Sequence, residues 1–401
     1  MKAEWKKVCL DEMGTISRGR SKHRPRNDSS LFNGKYPFIQ TADVKNANLY
    51  ITEYSQTYNE KGLAQSKLWN KGTLCITIAA NIADTAILGI DACFPDSIMG
   101  FIPNTEISDV KYVKYCFDIL QKECQSISVG AAQDNLSWEK LSRIKFPCPP
   151  IATQQKIASI LSAYDDLIEN NRKQIKLLEE AAQRLYKEWF VDLRFPGYEN
   201  VAIVDDLPEG WRIGTLGDLG NIITGKTPSK KNERYYGSAI PFVKIPDMHD
   251  CIYPITTEEC LSLEGANSQK NKFIPPESLI VSCIGTAGLV NIAFELCQTN
   301  QQINSIICNN NDTLYYLYFF IKSKREYLNA LGSNGATMVN VNKEKFGRIE
   351  ILIPSEFVIE KFKYVVKPYF EKIKSLQQQI QLLQQARDKL LPRLMSGEME
   401  V

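Results

Sequence analysis

The chain contains one sequence unit twice. Residues of the first copy that recur in order and at a nearly constant offset are Trp5, Leu10, Gly14, Ile16, Gly19, Pro37, Phe38, Asp43, Leu74, Gly130, Ala131, Asn135, Lys140, Arg143, Ile144 and Pro149. Their counterparts are Trp211, Leu216, Gly220, Ile222, Gly225, Pro241, Phe242, Asp247, Leu279, Gly335, Ala336, Asn340, Lys345, Arg348, Ile349 and Pro354. A tandem duplication predicts two similar domains, related by a pseudo-twofold axis and offering two half-sites to whatever they bind.

The composition allows two or more packed domains and argues against several classes of protein. The chain has 401 residues, of which 44% are hydrophobic. Its 11 cysteines are scattered without a C-x-x-C pair, which favours free thiols over a disulfide or zinc framework. No stretch resembles a secretory signal or reaches the roughly 18 to 20 apolar residues of a membrane span. We therefore expect a cytoplasmic protein without a membrane partner.

Basic residues are concentrated at equivalent places in the two copies, although the net charge is only +2. From position 18 to position 26 every even residue is basic and none is acidic, so an extended segment would place five cations on one face. A solvated loop explains either cluster alone, but the pair favours contacts with phosphates. The candidate nucleic-acid-binding residues are Arg18, Arg20, Lys22, Arg24 and Arg26 in the first copy, and Lys226, Lys230, Lys231 and Arg234 in the second.

Each copy is followed by a heptad pattern, with apolar positions spaced alternately by three and four residues. The first seam is Ile168, Asn171, Ile175, Leu178, Ala182, Leu185 and Trp189. The second is Ile373, Leu376, Ile380, Leu383, Arg387, Leu390 and Leu394. A shorter helix is predicted before each seam, at about residues 152–163 and 355–367, with a kink or restart at Pro368.

Core packing or homodimerisation is the ordinary explanation of such seams, but here a partner for each helix is present in the same chain. Only a short segment containing Pro196, Gly197 and Pro208 separates the first seam from the second copy. An up-and-down arrangement would pair the helices antiparallel, with one globular domain at each end. A helix from Ile157 to Trp189 spans roughly 50 Å at 1.5 Å per residue. The pair would act as a ruler between two recognition elements on one duplex.

Motifs that suggest catalysis are weak. Residues 220–227 (GNIITGKT) match the phosphate-loop pattern, but Pro228 follows at once and the interior residues resemble a strand. A loose nuclease-like spacing of Asp96 with Asp109 and Lys111 is missing from the second copy. The two histidines, His23 and His249, cannot supply a metal cluster. We expect no catalytic residue, no metal and no cofactor, although ATP turnover through the phosphate-loop pattern is an open alternative.

Several segments together resemble the specificity subunits of Type I restriction-modification systems, over nearly the whole chain. The segments that carry the resemblance are residues 154–157 (QQKI), 185–192 (LYKEWFVD), 195–197 (FPG), 211–218 (WRIGTLGD), 225–228 (GKTP), 240–242 (IPF) with Asp247, and 390–398 (LLPRLMSGE). The resemblance implies a non-catalytic subunit whose two target recognition domains each read half of a bipartite DNA sequence, separated by a fixed spacer.

The resemblance also implies partners. The helices of this family dock methyltransferase subunits, expected to number two, and restriction subunits join the larger assembly. Adenine methylation and ATP-driven cleavage belong to those partners. One departure from exact helix symmetry is that Arg387 occupies the seam position at which Ala182 stands in the first copy.

The sequence thus predicts an α+β protein with two tandem-duplicated recognition domains, each followed by a long helix, and an antiparallel coiled coil with pseudo-twofold symmetry. The predicted bounds are residues 1–150 and 196–353 for the domains and 151–195 and 354–401 for the helical regions. The expected coiled-coil interface is Ile168, Asn171, Ile175, Leu178, Leu185, Ile373, Leu376, Ile380, Leu383 and Leu390. A coiled-coil adaptor that bridges two proteins without binding DNA is the alternative.

Overall fold

The computed structural model describes residues 5–79, 82–128, 138–333 and 339–401, and their side chains outside residues 122–128. The repeated residues Gly130, Ala131, Asn135, Gly335 and Ala336 lie outside the described part. The chain divides into two compact units: the first combines Met1–Asn170 with Ile380–Val401, and the second is Asn171–Gln379. The units divide both long helices, whereas the predicted domain bounds keep each helical region whole. Those bounds stay a prediction.

The described part of the first unit contains a five-stranded sheet, a four-stranded sheet and a two-stranded sheet. Its strands are β1 (Lys6–Val8), β2 (Gly14–Arg18), β3 (Phe32–Phe38), β4 (Tyr50–Ile51), β5 (Gln56–Tyr58), β6 (Leu68–Trp69), β7 (Leu74–Thr77), β8 (Thr85–Leu88), β9 (Ala92–Cys93), β10 (Ile98–Pro103) and β11 (Phe146–Cys148). One sheet has the order β2-β10-β7-β8-β4 and the other the order β5-β3-β9-β6, while β1 pairs with β11.

Strand β7 shows why these residues form the centre of a sheet. Its four side chains are all buried. Because successive side chains of a strand point to opposite faces, Leu74 and Ile76 join one apolar cluster and Cys75 joins another. The helices of this part of the chain are α1 (Leu10–Met13), α2 (Thr41–Asn46), α3 (Glu60–Gln65), α4 (Val110–Ser128), α5 (Trp138–Leu141) and α6 (Ile151–Tyr186). Helix α6 continues into the second unit.

The second unit has a closely similar set of elements. Its strands are β12 (Ile203–Val204), β13 (Leu207–Pro208), β14 (Arg212–Thr215), β15 (Gly220–Thr224), β16 (Tyr236–Gly237), β17 (Ile240–Val243), β18 (Cys260–Leu261), β19 (Leu279–Ser282), β20 (Val290–Ile292), β21 (Gln298–Thr299), β22 (Ile303–Cys308) and β23 (Glu350–Ile353). Its sheets have the orders β15-β22-β19-β20 and β16-β18-β17-β21, while β14 pairs with β23 and β12 with β13. Its helices are α7 (Leu216–Leu219), α8 (Leu263–Asn267), α9 (Leu314–Ser323), α10 (Arg325–Ser333), α11 (Lys343–Gly347) and α12 (Glu356–Met395), the last ending in the first unit.

The strand register repeats between the units. In the first, β7 and β10 pair antiparallel with Leu74 opposite Phe101. In the second, β19 and β22 pair antiparallel with Leu279 opposite Ile306. The parallel pairs β3–β9 and β17–β21 correspond in the same way. The prediction of two duplicated domains with mixed helix and sheet is confirmed.

Of the kink or restart predicted at Pro368, the restart is wrong, because helix α12 passes through this residue without ending; the kink stays a prediction. The predicted short helix before the first seam is likewise part of the continuous α6. Proline removes one backbone donor and would leave the carbonyl of Tyr364 without its helical partner. Tyr364 and Pro368 are both exposed, so water can bond that carbonyl, while Val366 and Phe370 are buried on the other side of the helix. Packing of the buried face therefore outweighs the cost of the proline.

The long helices complete the core of each unit. In the first unit, Ile157 and Leu161 of α6 belong to the same buried cluster as Leu391 and Leu394 of α12. In the second unit, the ring of Phe362 lies 5.7 Å from the ring of Trp189 and 4.9 Å from that of Phe190, between centroids. Trp189 and Phe190 belong to a π-helical segment, Lys187–Val191, that follows α6. Both units therefore use a segment from each of the two helices.

Two predictions from composition can be compared with the structure. The cysteines whose side chains are described are free thiols, as their scattered positions indicated. Among the described residues, no helix is long and apolar enough to cross a membrane.

Candidate nucleic-acid interface

The first basic cluster lies on a loop, which we call the first basic loop, residues 18–26. Only Arg18 belongs to a strand, since β2 ends there. The next backbone amides bond to a neighbouring turn, with Gly19 donating to the carbonyl of Ile98 at 2.8 Å and Arg20 to that of Phe94 at 3.0 Å. The predicted extended segment with all cations on one face is therefore wrong, because the chain leaves the sheet after Arg18. The side chains of all five basic residues are nevertheless exposed.

Acidic side chains hold part of this loop. Nη2 of Arg26 lies 2.7 Å from an oxygen of Asp96, and Nη2 of Arg24 lies 3.8 Å from the other. Nε2 of His23 lies 2.8 Å from Asp28. A hydrogen bond from the backbone of Ser30, with smaller contributions from its hydroxyl and from His23, lowers the pKa of Asp28, which keeps that carboxylate ionised. Asp96, which is distant in sequence, thus orients Arg26, whereas Nη1 of Arg24 donates to the carbonyls of Ser21 at 2.7 Å and His23 at 2.8 Å.

The remaining cations of the first basic loop are available for a ligand. Arg18, Arg20 and Lys22 form no ion pair among the residues that the structure describes. Backbone contacts fix their positions: the amide of Lys22 bonds the carbonyl of Gln65 at 3.4 Å, and the hydroxyl of Ser66 donates to the carbonyl of Arg20 at 2.7 Å. A loop anchored by its backbone with its charges in solvent suits contacts with phosphates.

The second basic cluster lies on the corresponding loop, the second basic loop, residues 226–234. It follows β15 as the first basic loop follows β2, and Lys226, Lys230, Lys231 and Arg234 are exposed. Nζ of Lys230 lies 3.3 Å from Glu259. Although desolvation opposes the shift, hydrogen bonds from Lys244 and Lys230 lower the pKa of Glu259. Within the described chain, the other three cations of this loop form no ion pair.

The structure brings one further residue to each loop that the sequence did not single out as part of an interface. Asp96 lies in the turn between β9 and β10, and Gln301 lies in the turn between β21 and β22. The hydroxyl of Thr227 donates to Oε1 of Gln301 at 2.6 Å. The two turns are equivalent in the repeat, so the offset between the copies was a signal that could have identified this pair. Charge at this position differs between the two domains.

The phosphate-loop pattern has no phosphate-loop structure. Its first five residues form strand β15 (Gly220–Thr224), and residues 225–229 contain no helix. A Cβ at Gly225 would lie 2.2 Å from the carbonyl oxygen of Asn300, so this glycine is explained by packing against the neighbouring turn. Among the described residues, no group of three or more His, Cys, Asp or Glu side chains is arranged to hold a metal ion.

The residues expected at the coiled-coil interface are all at least partly buried. Buried side chains are Ile168, Asn171, Ile373 and Leu376, and half-buried side chains are Ile175, Leu178, Leu185, Ile380, Leu383 and Leu390. Polar side chains join α6 to α12 within each unit. Nη1 of Arg387 lies 2.5 Å from Oδ1 of Asp165 in the first. Nδ2 of Asn171 donates to Oε1 of Gln379 at 3.3 Å in the second.

Comparison with known proteins gives consistent matches. The family model of the Type I restriction modification DNA specificity domain matches residues 2–180 and again residues 208–385. The chain is 35% identical to the Type I restriction enzyme HindI specificity subunit of Haemophilus influenzae over 324 residues, which cover 66% of this chain and 71% of that protein. It is 26% identical to the Type I restriction enzyme MjaIX specificity subunit of Methanocaldococcus jannaschii over 412 residues, which cover 99% of this chain and 94% of that one.

A solved structure has the same fold. The S subunit of a Type I restriction-modification system from M. genitalium matches with a TM-score of 0.62 at 15% identity, over 98% of this chain and 96% of that chain. At this identity the likeness describes the architecture only.

Proposed function

Since the chain belongs to the family of Type I restriction-modification specificity subunits and serves in DNA sequence specificity, we propose that each of its globular domains reads one half of a bipartite target. A protein–protein adaptor that never binds DNA is not supported by the family match. The two copies of the specificity domain provide two DNA-reading domains in one chain. The distance between these domains determines how many base pairs between the half-sites are not read.

The observation that carries this proposal is the equivalent placement of the two basic loops. Each leaves the end of a corresponding strand, β2 or β15, and each presents exposed cations. Contacts to phosphates set the register of a protein on DNA, and side chains that reach the groove edges read the bases. We assign the nine basic residues of the two loops to this contact: Arg18, Arg20, Lys22, Arg24, Arg26, Lys226, Lys230, Lys231 and Arg234.

The two long helices form the spacer, paired antiparallel. Position 165 of α6 contacts position 387 of α12, whereas position 171 contacts position 379. Because the partner position falls as the first position rises, these contacts support an antiparallel pair. The seam residues Ile168, Ile175, Leu178, Ile373 and Leu376 are buried or half-buried, as knobs of a coiled coil are. A rigid helix pair gives the two half-sites a fixed separation.

Partner subunits bind along these helices, and the chemistry belongs to them. Two methyltransferase subunits and the restriction subunits are the proposed partners, while this chain contributes no catalytic residue, metal or cofactor. Exposed apolar side chains on the helices support a docking role: Leu177 of α6 is 64% exposed, and Tyr364 and Leu382 of α12 are 84% and 65% exposed. Binding of a partner subunit would remove these apolar side chains from water.

Selection of bound duplexes from a random pool, with the methyltransferase partner added, tests the bipartite target. We expect two short motifs separated by a constant number of unselected base pairs. A variant with Arg18, Arg20 and Lys22 changed to alanine should weaken enrichment of one motif and keep the other. A single uninterrupted motif, or enrichment of both motifs lost together, would contradict the proposal. If a filter-binding assay retained no duplex, the result would favour the alternative of a protein–protein adaptor.

A further inference from the structure

A buried polar network joins α6 to α12 in the first unit. Oη of Tyr115 donates to Oδ2 of Asp165 at 2.5 Å, and Nη1 of Arg387 lies 2.5 Å from Oδ1 of the same carboxylate. The side chain of Asp165 is 1% exposed and that of Arg387 is 19% exposed. Burial and the neighbouring Asp165 raise the pKa of Tyr115, so the phenol keeps the proton it donates. Nδ2 of Asn48 also donates to Oδ1 of Asp165 at 3.4 Å, and Nη2 of Arg387 also lies 2.9 Å from Asp388 of its own helix. Arg387 supplies the positive charge that compensates the buried Asp165.

The second unit has apolar residues at the equivalent positions. The residues that replace Tyr115, Asp165 and Arg387 are Phe319, Phe370 and Ala182. All three lie in the same buried cluster. The rings of Phe319 and Phe370 lie 5.8 Å apart between centroids, edge to face, so the contact between Tyr115 and Asp165 is repeated without its charge.

The equivalence of Phe370 with Asp165, and of Ala182 with Arg387, follows from the constant offset between the two copies. Phe370 stands three residues before Ile373 as Asp165 stands three before Ile168, and Ala182 stands three before Leu185 as Arg387 stands three before Leu390. Asp165 and Phe370 therefore have the same position relative to their seams, and so do Arg387 and Ala182.

The equivalence within the globular domains rests on a shared hydrogen bond. Tyr112 donates to the carbonyl of Pro147, and Tyr316 donates to that of Leu352. Tyr115 and Phe319 each stand three residues after these tyrosines. Phe319 is therefore the counterpart of Tyr115.

The apolar residues of the two seams do not distinguish one helix from the other. Ile168, Ile175 and Leu178 of α6 correspond to residues of the same type in α12, namely Ile373, Ile380 and Leu383. Each helix could therefore pair with a second copy of itself from another chain through the same apolar contacts. Some other feature has to favour the pair within one chain.

The buried charges supply that feature. In an antiparallel pair of two α6 helices, Asp165 would face Ala182 of the other copy. In a pair of two α12 helices, Arg387 would face Phe370. A pair of two α6 helices therefore buries Asp165 without its cation, which is strongly unfavourable. In a pair of two α12 helices, Arg387 keeps Asp388 of its own helix and loses Asp165. The pairing of α6 with α12 avoids a buried carboxylate without a cation.

We propose that the contact between Asp165 and Arg387 selects α12 as the partner of α6 and excludes a second copy of α6. The proposal rests on the antiparallel pairing proposed above. The two ends of the helix pair thereby differ: one end discriminates between partners by charge, and the other contributes apolar packing.

The test is co-refolding of two full-length chains that carry different affinity tags, followed by capture on one tag and detection of the other. The neutral variant is the full chain with Tyr115→Phe, Asp165→Phe and Arg387→Ala, which copies the residues of the second unit. Because a pair of two α6 helices no longer buries a lone carboxylate in this variant, we expect at least about ten-fold more mixed-tag species than for the unaltered chain. The matched control, Arg387→Lys, keeps the cation and should show the level of the unaltered chain.

Equal mixed-tag capture for the neutral variant, the control and the unaltered chain would overturn the proposal. If the neutral variant does not refold, as judged by circular dichroism, the pair Asp165→Asn with Arg387→Gln replaces it. These two substitutions remove both charges at similar side-chain volume and should likewise increase the amount of mixed-tag species that is captured. The assay contains no DNA, so failure of the bipartite target would leave this result standing, and equal capture would leave the bipartite target standing.

Discussion

Arg24 and Arg26 illustrate, at the scale of single residues, how the proposed DNA-contact surface is organised. Both guanidinium groups reach solvent, and Asp96 lies 2.7 Å from Arg26 and 3.8 Å from Arg24. An ion pair this exposed contributes little stability. The ion pair instead orients the guanidinium group. A guanidinium group whose orientation is already fixed binds a base edge or a phosphate with less loss of conformational entropy.

The first prediction concerns the charge of the first basic loop. Arg20→Ala with Arg24→Ala should weaken binding to the selected duplex and reduce the slope of log K against log salt by up to about 2, because each lost phosphate contact contributes about 0.9. Fluorescence anisotropy at several salt concentrations measures both quantities. Arg143→Ala with Arg348→Ala removes two exposed arginines outside the basic loops and should leave the slope unchanged. An equal loss in that control would refute the assignment.

The second prediction concerns Asp96. Asp96→Asn frees Arg26 and adds positive charge to the loop, so affinity for random duplex should rise, while Arg24 keeps its hydrogen bonds to the carbonyls of Ser21 and His23. The ratio of selected to random affinity should fall severalfold, because a freely rotating Arg26 guanidinium discriminates less between bases. Competition binding gives the ratio. Asp11→Asn, at an exposed acid outside the loop, controls for net charge; a ratio that falls equally in both variants would argue against orientation by Asp96.

The basic loops could be predicted from the sequence, and their geometry could not. Alternating cations at positions 18–26 are visible in the sequence alone, because charge is a local property. The backbone bonds of Gly19 and Arg20 to the turn beside Asp96 depend on the folded sheet, and Asp96 itself is 70 residues from Arg26. Long-range pairing of this kind leaves no local pattern.

At the scale of elements, α12 shows that packing can outweigh helix propensity. Pro368 predicts a kink or restart of the helix, since proline costs about 3 kcal/mol within a helix. The buried residues Phe362, Val366, Phe370 and Ile373 follow helical spacing across that position without a break. The apolar period was the more reliable signal, and the proline is tolerated because it lies on the exposed side.

The third prediction tests this packing. Phe362→Ala should lower the free energy of unfolding of the second unit by about 3–5 kcal/mol, because the side chain is fully buried between aromatic rings. Urea unfolding followed by the fluorescence of Trp189 and Trp211 measures the change. Tyr364→Ala, two residues along and 84% exposed, should change it by no more than about 0.5 kcal/mol. Similar losses in both variants would be inconsistent with the described packing.

At the scale of the whole molecule, duplication was the feature that the sequence revealed most fully. The matched registers of β7–β10 and β19–β22 follow from it. The sequence also flagged Arg387 as a departure from the repeat. Its partner Asp165 was not identified, because an acid within a helical pattern is ordinarily a solvated residue, and only the fold shows that this one is buried.

The fourth prediction addresses the spacer. Seven residues inserted into each helix, between positions 170 and 171 and between positions 379 and 380, keep the heptad register and lengthen the pair by about 10.5 Å. At about 3.4 Å per base pair, the preferred gap between half-sites should widen by about three base pairs. Selection from a random pool reads the gap directly. The same insertion in α6 alone should abolish the two-part motif. If the gap between half-sites is unchanged in the variant with both insertions, the helix pair does not set that gap.

The first unit takes its last core residues, among them Leu391, Leu394 and Met395, from a part of the chain far from the rest of it. The second unit ends at residue 379. On the ribosome, the domain whose translation begins first is therefore the last to have all of its residues available. Its apolar face on α6 stays uncovered while more than half of the polypeptide is still to be made, a period in which a nascent chain is most in need of a chaperone.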